Sequence, residues 1–207
     1  VTIVVLGFLM APSSWKIQEA KNHLKNGDSA TAIGFLHDAS EISPTNSESF
    51  RELARLRYEK LGEDIPTIVK IGYAENALDA YERALALNSL DWKSLLGSGV
   101  CEIFLAWHST TSASDQYWNR AKMFLDRAIS IAPTKYEPRE EYAYFQLNLA
   151  YYMASRGDLE GAYREAVGAA KKFKAVPEYF VEGAPRGHRV AEGVRSTEKL
   201  LKRLKRS

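Results

Sequence analysis

The sequence predicts an all-α fold, a right-handed α-solenoid of about four helix hairpins ending in a C-terminal capping helix. Three observations carry the prediction. First, two alanines seven residues apart recur with a large apolar side chain between them and a turn residue five later: Ala32, Ala39 and Pro44; Ala77, Ala84 and Ser89; Ala121, Ala128 and Pro133. A fourth copy, Ala162 and Ala169, lacks the turn residue. Second, Gly27-Asp28 and Gly157-Asp158 place the same turn signal before the first and last copies. Third, successive copies begin 45, 44 and 41 residues apart. Repeats of that length come from helix pairs that cannot bury their apolar faces alone and so stack on neighbours.

The elements follow in order. From Trp15 to Asn26 a polar helix carries Ile17, Ala20 and Leu24 at i, i+3 and i+7, and Asn26-Gly27-Asp28 supplies a cap and turn. A second helix, 29–42, sets Ala32, Ile33, Leu36 and Ala39 on one face and stops at Pro44-Thr45-Asn46. Small residues suit the places where helices about 8–10 Å apart approach most closely. Phe50, Leu53, Ala54 and Leu56 mark a third helix to Leu61, and Gly62-Glu63-Asp64-Ile65-Pro66 leads toward its partner over 74–87. The fifth runs from Trp92 through Leu95, Leu96, Gly99 and Ile103 to Trp107. After the Ser- and Thr-rich stretch 108–115, its partner spans 117–131. Helices over 139–155 and from Asp158 to Phe173 complete a fourth pair. The organisation predicted is an apolar segment at 1–12, helical repeats at 13–175 and a basic capping helix within 176–207.

Two stretches carry a family resemblance. Ala77-Leu78-Asp79-Ala80-Tyr81-Glu82-Arg83-Ala84-Leu85-Ala86-Leu87-Asn88, and the run from Ala121 through Phe124, Leu125 and Ala128 to Pro133, resemble the second half of a tetratricopeptide repeat (TPR). First halves match less: Leu53-Ala54 and Leu149-Ala150 hold the Leu-Gly place with Ala for Gly, Gly99 matches the glycine alone and Ala20 the small residue alone. The resemblance covers residues 13–175 and implies a solenoid that binds protein partners. It also implies that the first helix of each pair lines an inner groove. That makes Arg51, Arg55 and Tyr58, then Lys93 and Leu96, then Tyr144, Asn148 and Tyr151 the candidate partner-binding residues. Arg and Tyr supply forked hydrogen bonds and rigid contact area. The other reading of the tyrosines is that Tyr151 and Tyr152 pack between helices. The family's clamp for a C-terminal carboxylate is matched only in part and is not carried over.

The spacing exceeds the family period of about 34 residues by roughly ten in the second and third units. The excess falls at 62–72 and 108–117. Two readings stand, lengthened helices with a loose turn and a functional rim; Ile65, Ile68, Val69 and Ile71 tip the first insertion toward being packed, because a solvated loop does not keep four β-branched apolar residues.

Charge is uneven. Formal net charge is +2, yet residues 186–207 hold eight Lys or Arg against Glu192 and Glu198, a net of +6 that leaves −4 for the rest. Val190, Val194, Leu200, Leu201 and Leu204 give this end an amphipathic pattern, and Lys199, Lys202, Arg203, Lys205 and Arg206 form a basic tail. A capping helix with a polar outer face explains it, and attraction to anionic lipid is the sharper reading. No aromatic residue interleaves the basic run, so no nucleic acid partner is expected.

At the other end Val1–Ala11 is apolar without a charge, and Val4, Val5, Leu6, Phe8 and Leu9 are candidates for membrane or partner contact. The run is short of the 20 or so residues that span a bilayer. Three readings stand: a signal remnant, the outer end of a membrane helix, or an arm packed on a partner.

Catalytic signals are weak. His23, His37, His108 and His188 are scattered and predict no metal-ligating face, and Gly97-Ser98-Gly99 lacks the strand and final glycine of a dinucleotide loop. Glu140 and Glu141 are expected to diverge on a solvated face. The lone Cys101, among Val100, Ile103 and Phe104, reads as a small buried hydrophobe. No cofactor and no small-molecule substrate are expected. The sequence therefore predicts a non-catalytic scaffold or adaptor in a larger, membrane-associated assembly, its soluble body on the extracytoplasmic side. The alternative is the soluble tail of a polytopic membrane protein, such as a bacterial surface-polysaccharide assembly enzyme.

Overall fold

In the computed structural model the described residues are 12–175 and 185–206, and helices are the only regular structure among them. In order these are α1 (Pro12–Lys25), α2 (Ser29–Ile42), α3 (Ser47–Glu59) with a 3₁₀ turn at Lys60–Gly62, α4 (Thr67–Leu87), α5 (Trp92–His108), α6 (Thr111–Ile131), α7 (Glu137–Ser155), α8 (Leu159–Lys174) and α9 (Pro185–Leu204). The expected all-α class is thus observed. The chain divides into two compact units, Val1–Ser94 and Leu95–Ser207.

The repeated alanines explain the pairing. All eight, Ala32, Ala39, Ala77, Ala84, Ala121, Ala128, Ala162 and Ala169, have 0% of their surface exposed. A methyl group is all that fits where one helix backbone lies against the next. The turn after each second helix is built alike. The amides of Ser43, Asn88 and Ala132 donate to the carbonyls of Ala39, Ala84 and Ala128, and those of Asn46, Asp91 and Lys135 then donate to Ser43, Asn88 and Ala132. Pro44, Ser89 and Pro133 occupy the corner of each turn, which is why a turn residue recurs five places after the second alanine.

The Gly-Asp signal is equally literal. Gly27 (φ 77°) and Gly157 (φ 83°) take the left-handed conformation that ends a helix, where a side chain would be strained. Asp28 then accepts from the Thr31 amide at 3.1 Å and Asp158 from the Gly161 amide at 2.9 Å, capping α2 and α8.

In the first unit α1 pairs with α2 and α3 with α4, and Ile17, Ala20, Leu36, Leu53 and Leu56 form a core joining α1, α2 and α3. The second unit has two cores. Ile103, Ala106, Trp118, Leu125, Tyr142 and Phe145 join α5, α6 and α7. Ala143, Leu147, Ala166, Phe173, Val190 and Leu200 join α7, α8 and α9. Gly99 lies in the first of these: a Cβ there would stand 2.8 Å from Leu125 Cγ, so close helix packing accounts for the glycine. Cys101 is fully buried, as expected.

The insertions follow the lengthened-helix reading, with helix starts earlier than expected: α4 begins at Thr67 instead of Ala74, and α6 at Thr111 instead of Tyr117. The Pro66 carbonyl accepts from both Val69 (2.9 Å) and Lys70 (3.1 Å), so the extra residues wind straight into α4. At the second insertion Ser114 Oγ donates to the Ala106 carbonyl at 2.7 Å, tying the added turn of α6 to α5. The predicted packing of four apolar residues fails for two of them. Ile68 is 75% and Val69 44% exposed, since Ile68 shares a helix face with exposed Glu75 and Asp79.

Candidate partner-binding surface

On α3, Arg51, Arg55 and Tyr58 stand at i, i+4 and i+7 along one face. Both arginines are engaged. Glu52 lies between them, 3.5 Å from Arg51 Nε and 3.0 Å from Arg55 Nε, while Arg51 Nη1 reaches Asp91 Oδ2 at 3.2 Å and Arg55 also pairs with Glu59. Burial pulls both guanidinium pKa values down, but the carboxylates outweigh it and the net shifts are upward. Asp91 itself is a structural hub: it accepts from the Lys93 amide and from Ser94 Oγ, at 3.2 and 2.8 Å, at the start of α5. Arg51 therefore braces a helix start, whereas Arg55 is the more accessible of the two arginines, its side chain 41% exposed against 23%. Lys93 is exposed, its Nζ 5.8 Å from the Trp92 ring centre. Leu96, in the second unit, packs on the core that holds Trp118 and Phe145.

The α7 candidates meet a different neighbour. The Tyr144 hydroxyl donates to the Arg189 carbonyl and the Tyr151 hydroxyl to the Ser196 carbonyl at 3.4 Å. Seven residues on α7 thus match seven on α9. Asn148, between them, donates to the Tyr144 carbonyl of its own helix at 2.8 Å. The Tyr144 ring meets Phe173 edge-on at 4.9 Å and lies under the Arg189 guanidinium at 4.7 Å; burial pushes its phenol up to about 12. The α7 face read as open to a partner is lined by the chain's own last helix.

Arg189 also overturns the reading of Glu140 and Glu141 as divergent and solvated. Its Nη1 stands 2.9 Å from Glu141 and 3.6 Å from Glu140, and Glu140 is only 3% exposed. Adjacent residues on one helix converge here because a cation from a second helix sits between them. Burial lowers the Arg189 pKa, but these two carboxylates outweigh it and raise it overall.

A second correction concerns His37. With Asp38 and Glu41 it brings three ligand atoms within 4.8 Å of one another, contrary to the expectation that no histidine has such neighbours. The group is exposed, and the Asp38 carboxylate already pairs with Lys16 at 2.7 Å.

One accessible cavity is not foreshadowed by the sequence. In the second unit Trp107, Tyr151, Leu159, Leu200 and Leu204 surround an open cavity of about 410 Å³, with Arg203 at its rim. Trp107 and Leu159 are each 40% exposed. Trp107 marks the expected end of α5 in the sequence, but only the fold brings α8 and α9 to it. The basic tail, Lys199, Lys202, Arg203, Lys205 and Arg206, is exposed at the end of α9. Val4, Val5, Leu6, Phe8 and Leu9 lie outside the described residues, and among the described residues no helix is long and apolar enough to cross a membrane.

No protein-family model matches the chain, and no curated protein matches it in sequence. Solved structures do. A thermophilic TPR protein of Thermus thermophilus aligns over 89% of this chain and 98% of its own, with 14% identity and a TM-score of 0.51. A MamA protein aligns over 92% and 91%, at 16% identity and 0.54. MamA from Desulfovibrio magneticus, from residue 41 to its end, aligns over 96% and 99%, at 12% identity and 0.53. The fold is that of tetratricopeptide-repeat proteins.

Proposed function

We propose that the protein is a non-catalytic scaffold that holds a segment of a partner protein within a membrane-associated assembly. One observation carries the reading: the cavity rimmed by Trp107, Tyr151 and Leu159 presents aromatic and aliphatic surface that the fold leaves accessible. Aromatic anchors in a pocket are where interface energy concentrates. The TPR fold supports a scaffold in general terms. In the first unit, Arg55, Tyr58 and Lys93 are the proposed contacts, with exposed Ile68 and Val69 a further apolar patch. Membrane association rests on the uncharged apolar run Val1–Ala11.

Affinity purification from native membranes, read by mass spectrometry, tests the proposal when repeated with Leu159→Glu and Arg55→Glu. Leu159 opens α8, where an acidic residue suits the helix dipole, so the first variant should fold normally. Arg51 is unsuitable, since reversing it would set a carboxylate against Asp91. Loss of the same co-purifying protein in either variant supports the reading. An unchanged partner set in both refutes these surfaces.

A further inference from the structure

The last turns of α9 and the residues just after carry Arg195, Lys199, Lys202, Arg203, Lys205 and Arg206, all exposed, with Glu198 the one acid among them. Arg195, Lys199, Lys202, Arg203 and Arg206 fall on one stripe of the helix around a shallow hollow of about 540 Å³. Several cations elsewhere are neutralised in place: Lys16 by Asp38, Lys60 by Glu63, Arg83 by Asp79, Lys122 by Asp126 and Arg156 by Asp115. Among the described residues no carboxylate pairs with Arg195, Lys199, Lys202, Lys205 or Arg206.

The opposite side of the helix is fixed. Val190, Gly193, Thr197 and Leu200 are buried, Val190 and Leu200 in the core with Phe173. The basic stripe is therefore held facing away from the core that α9 shares with α7 and α8. Such an array calls for a polyanionic surface. It lacks aromatic side chains for base stacking, which disfavours a nucleic acid strand. The same chain carries a second signal of another kind, the uncharged run Val1–Ala11. One apolar signal alone holds a protein to a bilayer marginally and reversibly, whereas apolar and polybasic signals together hold it stably.

We infer that the basic stripe of α9 rests on anionic lipid headgroups and acts as a second membrane contact in addition to the apolar run Val1–Ala11. The inference rests on the membrane-associated part of the proposed function. The stripe orients its own unit, because α9 is packed against α7 and α8 while the headgroups lie in a plane.

Co-sedimentation of the full chain with phosphatidylcholine vesicles, and with vesicles also containing phosphatidylglycerol, tests both claims. The variants are Lys199→Glu/Lys202→Glu/Arg206→Glu and, separately, Val5→Glu/Phe8→Glu. Wild type should favour the anionic vesicles, less so as salt is raised. At about one tenfold step per 1.4 kcal/mol, reversing three cations should lower anionic partitioning at least about a hundredfold and leave neutral partitioning unchanged. Val5→Glu/Phe8→Glu should weaken both. Equal wild-type binding to the two vesicles, or a triple variant that keeps its anionic preference, overturns the α9 contact and leaves the apolar anchor standing. If Val5→Glu/Phe8→Glu changes nothing while the triple variant loses anionic binding, the anchor falls and the α9 contact stands. Absence of binding to either vesicle overturns both, and charge-sensitive capture of an acidic protein would then reassign the stripe.

Discussion

Glycine in a helix interior is ordinarily improved by alanine, by about 0.5–1 kcal/mol. Gly193 of α9 should show the opposite sign. A Cβ at that position would stand 2.4 Å from Phe173 Cζ and 2.6 Å from its Cε1, against an optimal carbon separation of about 3.5–4.0 Å. The ring has nowhere to go: Phe173 is 1% exposed and its face is set by Tyr144. Either α9 lifts from α8 or the ring leaves its rotamer, and overpacking of this kind costs about 1–3 kcal/mol. Set against the propensity gain, Gly193→Ala should lose about 1–2 kcal/mol, a fall in Tm of roughly 2–8 °C for a chain of this length. Gly34 in α2 is the control, since nothing lies within 4 Å of a Cβ built there. Gly34→Ala should raise Tm by about 1–4 °C. Thermal melts followed by circular dichroism at the helix band read both. Phe173→Leu removes the clashing ring edge, so alanine at 193 should cost about 1 kcal/mol less in that background than in the wild type. A Gly193→Ala protein that melts as high as Gly34→Ala would refute the close approach of α9 to α8.

Arg189→Ala removes the cation that Glu140 and Glu141 face, and because Arg189 is half exposed the loss should be about 1–2 kcal/mol in urea unfolding. Glu140→Gln in that background should recover part of it; no recovery would show that the buried carboxylate depends on other partners. Asp28→Ala and Asp158→Ala each remove a helix cap and should cost about 1 kcal/mol, additively because the sites are in separate units. Burial and the neighbouring Glu102 push the Cys101 thiol well above its ordinary pKa, so a thiol-specific reagent at mildly alkaline pH should leave the native protein untouched and titrate one thiol after denaturation. Rapid modification of the folded chain would contradict that burial.

Several local signals are legible in the sequence. The turn residues and the Gly-Asp steps act within a few residues, and α2 runs over the predicted 29–42. Helix starts after the two insertions were misplaced for an equally local reason. Pro66 and the Ser- and Thr-rich 108–115 look like loop, yet Pro supplies a helix-starting carbonyl and Ser114 bonds back to α5. β-Branched residues in such a segment suggested burial, but an extended helix turns some of them outward whatever their polarity, as it does Ile68.

What no spacing rule could supply is the meeting of α7 with α9. The family pattern assigns every first helix of a pair the same inward face, which made Tyr144 and Tyr151 groove residues by analogy with Arg55 and Tyr58. That analogy fails at a chain's last hairpin, where a following helix can take the face. Here Tyr144 and Tyr151 bond to carbonyls of residues 189 and 196, and Arg189 joins Glu140 and Glu141, so one side of α9 is spent on α7 and α8. The consequence divides the labour of the helix. Its inner side substitutes for a partner on α7, while its outer side keeps a row of exposed cations. Charges retained on a face that stability does not require, in a chain that elsewhere pairs many of its cations, point to something outside the fold that they meet.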